Sequence, residues 1–145
     1  MLYRIWPFLT IVLFTAVFYL GPSKAQTIDG AKSAVVQQVI RDQLSAFKSR
    51  EHERAFSHAA PNIRSIFKTT DQFINMVKNG YSAIYNSSSY SFARSRTEAG
   101  VIHQEVIIIG PNGKEWQAIY SLQEQDDGSW KIMGVQMNPY SGATT

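Results

Sequence analysis

The sequence predicts an α+β fold, with N-terminal helices packed on a curved antiparallel four-stranded sheet. Two observations predict it. Apolar residues recur at three-and-four spacing up to about Gly80, and in the second half the period falls to two. The four period-two runs are joined by short links that each contain glycine, and links that short force neighbouring strands to be antiparallel. Helices first and a meander afterwards place the helices together on one sheet face.

The 145-residue chain has room for one domain, and its first 25 residues read as separate from it. Arg4 precedes an apolar run from Ile5 to Leu20, Gly21 and Pro22 break any helix, and Ser23 and Ala25 place small residues at the exit. This is the pattern of a secretory signal peptide, cut after Ala25. The run is shorter than the roughly 20 residues that span a bilayer core. The expected organisation is a signal over residues 1–25 and a single domain over 26–145. That makes the protein exported, periplasmic or secreted; the alternative is an uncleaved N-terminal anchor in the inner membrane, its one expected membrane contact.

In "DGAKSAVVQQVIRDQLSAFKSR", Val36, Val39, Ile40, Leu44 and Phe47 share one helical face, with Asp29 placed to cap the start. "EHERAFSHAAPNIRSIF" reads as two short helices meeting near Ala60, because Pro61 suits a first turn and not an interior. "TTDQFINMVKNGY" reads as a further helix capped by Thr70, with Phe73, Met76 and Val77 inward and Gly80 at its end. The strands are "SYSFARSR", "VIHQEVIII", "EWQAIYSLQ" and "WKIMGVQM", joined by "TEAG", "GPNGK" and "EQDDGS". The Asn-Gly and Asp-Gly steps accept the positive φ of tight turns. The acids Glu124, Asp126 and Asp127 therefore belong to a hairpin corner rather than a calcium loop, since Gly134 stands where the terminal acid would be needed.

Net charge is +3 for the whole chain and +1 without residues 1–25, with 12 basic and 11 acidic side chains remaining. No basic block survives, so nucleic acid is not the expected partner. The absence of cysteine excludes disulfides, thiolate catalysis and cysteine-based zinc sites. No Gly-x-Ser-x-Gly elbow, Ser-x-x-Lys or phosphate-binding glycine loop is present. Asn86-Ser87-Ser88 fits a glycosylation sequon, of consequence only in a eukaryotic secretory pathway.

His52 and His58 sit in polar helical surroundings and read as surface residues. His103 differs, because Glu105 lies two residues on, on the same sheet face. A histidine and a carboxylate side by side are the candidate catalytic pair, able to take a proton next to a carbonyl. Two ligands without a third make no metal site, and no cofactor is expected. Gln104 lies on the opposite face among Ile102, Val106 and Ile108, so alternation alone leaves open which face is inner. Tyr81, Tyr85, Trp116 and Tyr120 are the candidate ligand-pocket residues, aromatic bodies with polar tips.

The combination of Gln43, Ala46-Phe47, Ala55-Phe56, Pro61 and Phe67 with Trp116, Ala118, Tyr120, Asp127-Gly128-Ser129-Trp130 and Ile132 resembles a bacterial family known as domain of unknown function 4864. The likeness covers most of residues 26–145. A minor departure is Glu51 or His52 where an aspartate often follows the first helix. That family is in turn similar to the nuclear-transport-factor-like superfamily, whose curved sheet wraps a long helix into a cone. The resemblance implies this fold and an exported or membrane-attached setting, and it supplies no activity. The expected function is non-catalytic binding of a small apolar ligand or an envelope protein partner. Competing readings are a cofactor-independent lyase or isomerase using His103 and Glu105, and a structural module that forms homodimers.

Overall fold

The computed structural model describes residues 30–140 and 142, so the signal peptide, its cleavage after Ala25 and the Asp29 cap lie outside the described residues. Five helices precede four strands: α1 (Gly30–Lys48), α2 (His52–Ser57), α3 (Pro61–Ile66), α4 (Thr70–Gly80), α5 (Ser82–Tyr85), β1 (Ser89–Glu98), β2 (Val101–Ile109), β3 (Glu115–Glu124) and β4 (Trp130–Pro139). The strands form one antiparallel sheet in the order β1-β2-β3-β4. The class is α+β, as the change of period predicts.

Helix α1 buries Val36, Ile40, Leu44 and Phe47 along one stripe, joined by Gln43 and Ala46. Val39, expected on that face, is only partly buried at its margin. Two residues past the end of the helix stands Arg50, whose φ of 59° is left-handed. Glycine is usual there. The Arg50 guanidinium offsets the strain by donating to the carbonyls of Phe47 (3.2 Å) and Tyr85 (3.4 Å) and to Asn86 Oδ1 (2.9 Å). Pro61 opens α3 after Ala60, as expected. The cap of α4 is Thr69 rather than Thr70: Thr69 is extended, and its Oγ1 accepts from the Gln72 N–H at 3.2 Å. Thr70 already has a place in the first helical turn and cannot cap it. Helix α5 is too short to leave a periodic signal, yet it buries Ala83, Ile84 and Tyr85.

The sheet's inner face is the one that carries Ile102, Gln104, Val106 and Ile108 on β2, and Ala118, Tyr120 and Leu122 on β3. All seven are at most 2 % exposed, and they pack with the α1 stripe and α5 into one core. The linker between α2 and α3 extends this sheet. Ala59 forms a parallel bridge to Ile132, with the Ala60 N–H donating to the Ile132 carbonyl and the Ile132 N–H to that of His58, each at 2.8 Å. Strand β1 carries a bulge between Phe92 and Ser95. Gln104 fills the resulting gap in the ladder, its Nε2 donating among the carbonyls of Ala93 (3.1 Å), Arg94 (3.3 Å) and Glu105 (2.9 Å).

Strand β1 runs two residues further toward β2 than the sequence suggests. Their link is Ala99-Gly100, with φ of 49° and 78°. Two positive φ values define the mirror-image turn that matches strand twist, and its first position favours asparagine, aspartate or glycine. Ala99→Asn is therefore expected to stabilise the protein by about 0.5–1 kcal/mol, since alanine pays for left-handed backbone and asparagine tolerates it. Denaturant midpoints measure it; an unchanged or lower midpoint contradicts the turn assignment.

Candidate ligand cavity

The core is not filled everywhere. Between α4 and the β3–β4 half of the sheet lies a cavity of about 300 Å³. Its aromatic wall is Phe47, Phe67 and Phe73, with ring centroids 6.4 Å apart for Phe47–Phe73 and 6.3 Å for Phe67–Phe73. Aliphatic walls come from Val77 and Ile84 and, across the cavity, from Ile132 and Val135. Ile63, Met76 and Val135 are only partly buried and sit toward its mouth. The short helices explain the gap: α3 buries none of its residues, so it roofs the cavity without filling it.

Three polar side chains line this space, and none of its lining residues carries a charge. Gln43, 4 % exposed, donates to the Ala55 carbonyl at 3.2 Å. Tyr81 donates its hydroxyl to the Val135 carbonyl at 3.1 Å. Tyr120 is fully buried, and its hydroxyl has no hydrogen-bond partner among the described residues. Burial, and secondarily the neighbouring Tyr90, pushes its ionisation far above the usual phenol range, so it is a neutral donor.

Of the four aromatic candidates, Tyr81 and Tyr120 line the cavity and Tyr85 and Trp116 do not. The Tyr85 hydroxyl is bonded to His52 Nε2 at 2.9 Å, with Arg50 over its ring at 4.2 Å. Trp116 is half-buried under Lys114, whose Nζ stands 4.3 Å from the ring centre. Sequence reasoning missed Gln43 as a cavity residue, although its place inside the apolar stripe of α1 is a readable signal.

His103 and Glu105 lie on the opposite face of the sheet, away from the helices. They do not bond each other. His103 Nδ1 meets Ser121 Oγ at 2.9 Å, while Glu105 accepts from Gln117 Nε2 at 2.7 Å and from Arg94 Nε at 3.2 Å. Those bonds, Gln117 foremost, hold the Glu105 carboxyl below its usual range and make it a weaker base. With Arg94 and Gln117 the pair lines a separate surface groove of about 320 Å³. Among the described residues no group of three metal-ligating side chains comes together, and no helix is long and apolar enough to cross a membrane.

The hairpin at residues 125–129 closes as a turn. Gln125 N–H donates to the Ser129 carbonyl at 2.8 Å, Gly128 takes φ 80°, and Asp127 Oδ1 accepts from the Ser129 N–H and hydroxyl. This corner and the core residues around the cavity fall within a match to the family model described as Domain of unknown function (DUF4864), which spans residues 29–145. The chain belongs to this family. No curated protein matches it. Membership in DUF4864 carries no assigned activity, so this DUF4864 domain must be read from its own geometry.

One titratable group beside the cavity has consequences for stability. His58, in the linker that bridges to Ile132, has a buried Nε2 without a partner among the described residues. Burial lowers its pKa below 6.5; Lys131 of β4 and Arg54 of α2 lower it further, while Asp42 of α1 opposes them. Below pH 6.5 the unfolded chain therefore takes up a proton that the folded DUF4864 domain resists, and stability is lost as pH falls toward the folded pKa. His58→Gln is expected to reduce that acid-side loss, read as a shallower fall of the urea midpoint below pH 6.5. An identical slope in both proteins contradicts the assignment.

Proposed function

We propose that this domain is a non-catalytic binding module for a small, neutral, largely apolar molecule, held in the cavity between α4 and the β3–β4 half of the sheet. The observation that carries this reading is the cavity itself. A space of about 300 Å³ walled by Phe, Ile and Val side chains is at the small end of ligand sites, and apolar walls with few polar groups are how such sites are built. Binding replaces the missing packing on those walls, which is a driving force for any occupant that fits. Charged molecules are disfavoured, because no counter-charge lines the space and desolvation of an ion would go uncompensated. Binding is favoured over catalysis because His103 and Glu105, the pair suited to proton transfer, face away from the cavity and are engaged elsewhere. The signal pattern at residues 1–25 supports an exported setting, where the ligand would be met in the cell envelope.

Calorimetric titration with toluene and, separately, with benzoate tests the reading. Saturable binding of toluene with weak or absent binding of benzoate is expected. No saturable toluene binding, or tighter binding of benzoate, overturns it.

A further inference from the structure

We infer that the ligand carries a neutral hydroxyl group, received by the side-chain amide oxygen of Gln43. The inference rests on the cavity reading and adds to it the chemistry of the molecule bound. Gln43 sits inside the apolar stripe of α1, is 4 % exposed and lines the cavity, a costly place for an amide that is not fully used. Half of it is used internally. Nε2 donates to the Ala55 carbonyl at 3.2 Å, and because a carbonyl can only accept, this bond fixes which end of the amide is nitrogen. Oε1 then meets no donor among the described residues, yet it is not sealed off: the sealed, unpartnered side-chain atoms among those residues belong to His58 and Tyr120. The core wraps the rest of Gln43, so the surface its oxygen keeps is on the cavity.

The other polar groups of the cavity point to the same class of ligand. Tyr81 spends its proton on the Val135 carbonyl at 3.1 Å and keeps an oxygen that can only accept. The Tyr120 hydroxyl is closed off by protein and takes no part. A ketone or ester has no proton to give and would leave Oε1 unmet, at the cost of a buried acceptor without a partner. An ammonium has protons, but no Asp or Glu lines the cavity to balance its charge. A hydroxyl meets each condition: it donates to Oε1 and can accept the second N–H of the same amide. The aromatic wall of Phe47, Phe67 and Phe73 suits a flat ring as the body of such an alcohol or phenol.

The test compares two probes with the same heavy-atom skeleton, 1-phenylethanol and acetophenone, of which only the first can donate a hydrogen bond. The full-length protein is expected to bind 1-phenylethanol about tenfold more tightly, the worth of one hydrogen bond. Gln43→Met, which keeps the length of the side chain without its amide, is expected to bring the two probes level. A second readout needs no variant. The carbon resonance of the Gln43 side-chain carbonyl should move downfield on saturation with 1-phenylethanol, as it does when a hydroxyl donates to it, and stay in place with acetophenone. Equal affinity for both probes, or a preference that survives Gln43→Met, or an unmoved Gln43 resonance overturns the inference and leaves the cavity reading standing. Failure of both probes to bind overturns the two together.

Discussion

Gln104→Glu is expected to destabilise the protein by about 3–5 kcal/mol at neutral pH, the cost of an uncompensated charge in the interior. The substitution keeps the side chain's shape and changes one atom's chemistry. Gln104 is 0 % exposed, and its Nε2 stands 2.9–3.3 Å from three backbone carbonyl oxygens around the β1 bulge. A carboxylate would set an acceptor against three acceptors. The pH dependence follows from the same geometry. Burial and those oxygens raise the folded pKa of the new carboxyl above its unfolded value near 4.3, so the penalty is full at high pH. It shrinks as pH falls through the folded pKa, when the protonated carboxyl can again donate. Urea midpoints of the two proteins at pH 7 and pH 4.5 measure it. Equal midpoints at pH 7, or a gap that widens toward pH 4.5, would show that Gln104 does not hold the bulge. Gln104→Leu, which leaves the carbonyls unpaired but adds no charge, is expected to cost about 1–3 kcal/mol.

Phe47→Ala is expected to cost about 3–5 kcal/mol. Phe47 is 1 % exposed and joins α1 to the rest of the helical layer, its ring centroid 6.4 Å from Phe73 and 5.8 Å from Tyr85. It also forms part of the cavity wall, so the vacated volume adds to a space already there and cannot be closed by small shifts. Phe47→Leu, which keeps most of the volume, is expected to cost less than half as much. Denaturant unfolding of the three proteins ranks them; a loss below about 1.5 kcal/mol for alanine would remove Phe47 from its central place in the core.

The sheet was the most legible part of the sequence. Alternation and glycine-bearing links locate all four strands, and β2 begins and ends where "VIHQEVIII" does. Which face of β2 points inward was not legible, and the reason is physical. Both faces carry isoleucines, Ile102 and Ile108 on one and Ile107 and Ile109 on the other, and the inner face also carries the polar Gln104. That glutamine is required by the β1 bulge, a tertiary feature with no signature in the run itself. The α4 cap lies one residue before the threonine the sequence points to, because two threonines adjoin and only backbone geometry distinguishes the extended Thr69 from Thr70. Arg50 in a left-handed cap is equally opaque, since its side-chain bonds to Tyr85 and Asn86 are 35 and 36 residues away.

The candidate site was half legible. Tyr81 and Tyr120 can be picked out as aromatic residues with polar tips, and both lie on the cavity. Tyr85 and Trp116 have the same appearance in sequence but are occupied by His52, Arg50 and Lys114. The cavity arises from the way α3 and α4 stand over β4, which no local period records. His103 and Glu105 share a face as their spacing requires, and that face is the one turned from the helices.

The central claim is that the cavity between α4 and the sheet is a ligand site. Methyl-resolved NMR of the protein titrated with acetophenone tests it most directly, because isoleucines mark both faces of the sheet. Shifts are predicted at Ile63, Ile84 and Ile132, which line the cavity, with Ile107 and Ile109 on the opposite face unmoved. Shifts confined to Ile107 and Ile109, or no saturable shift at the cavity isoleucines, would contradict the account.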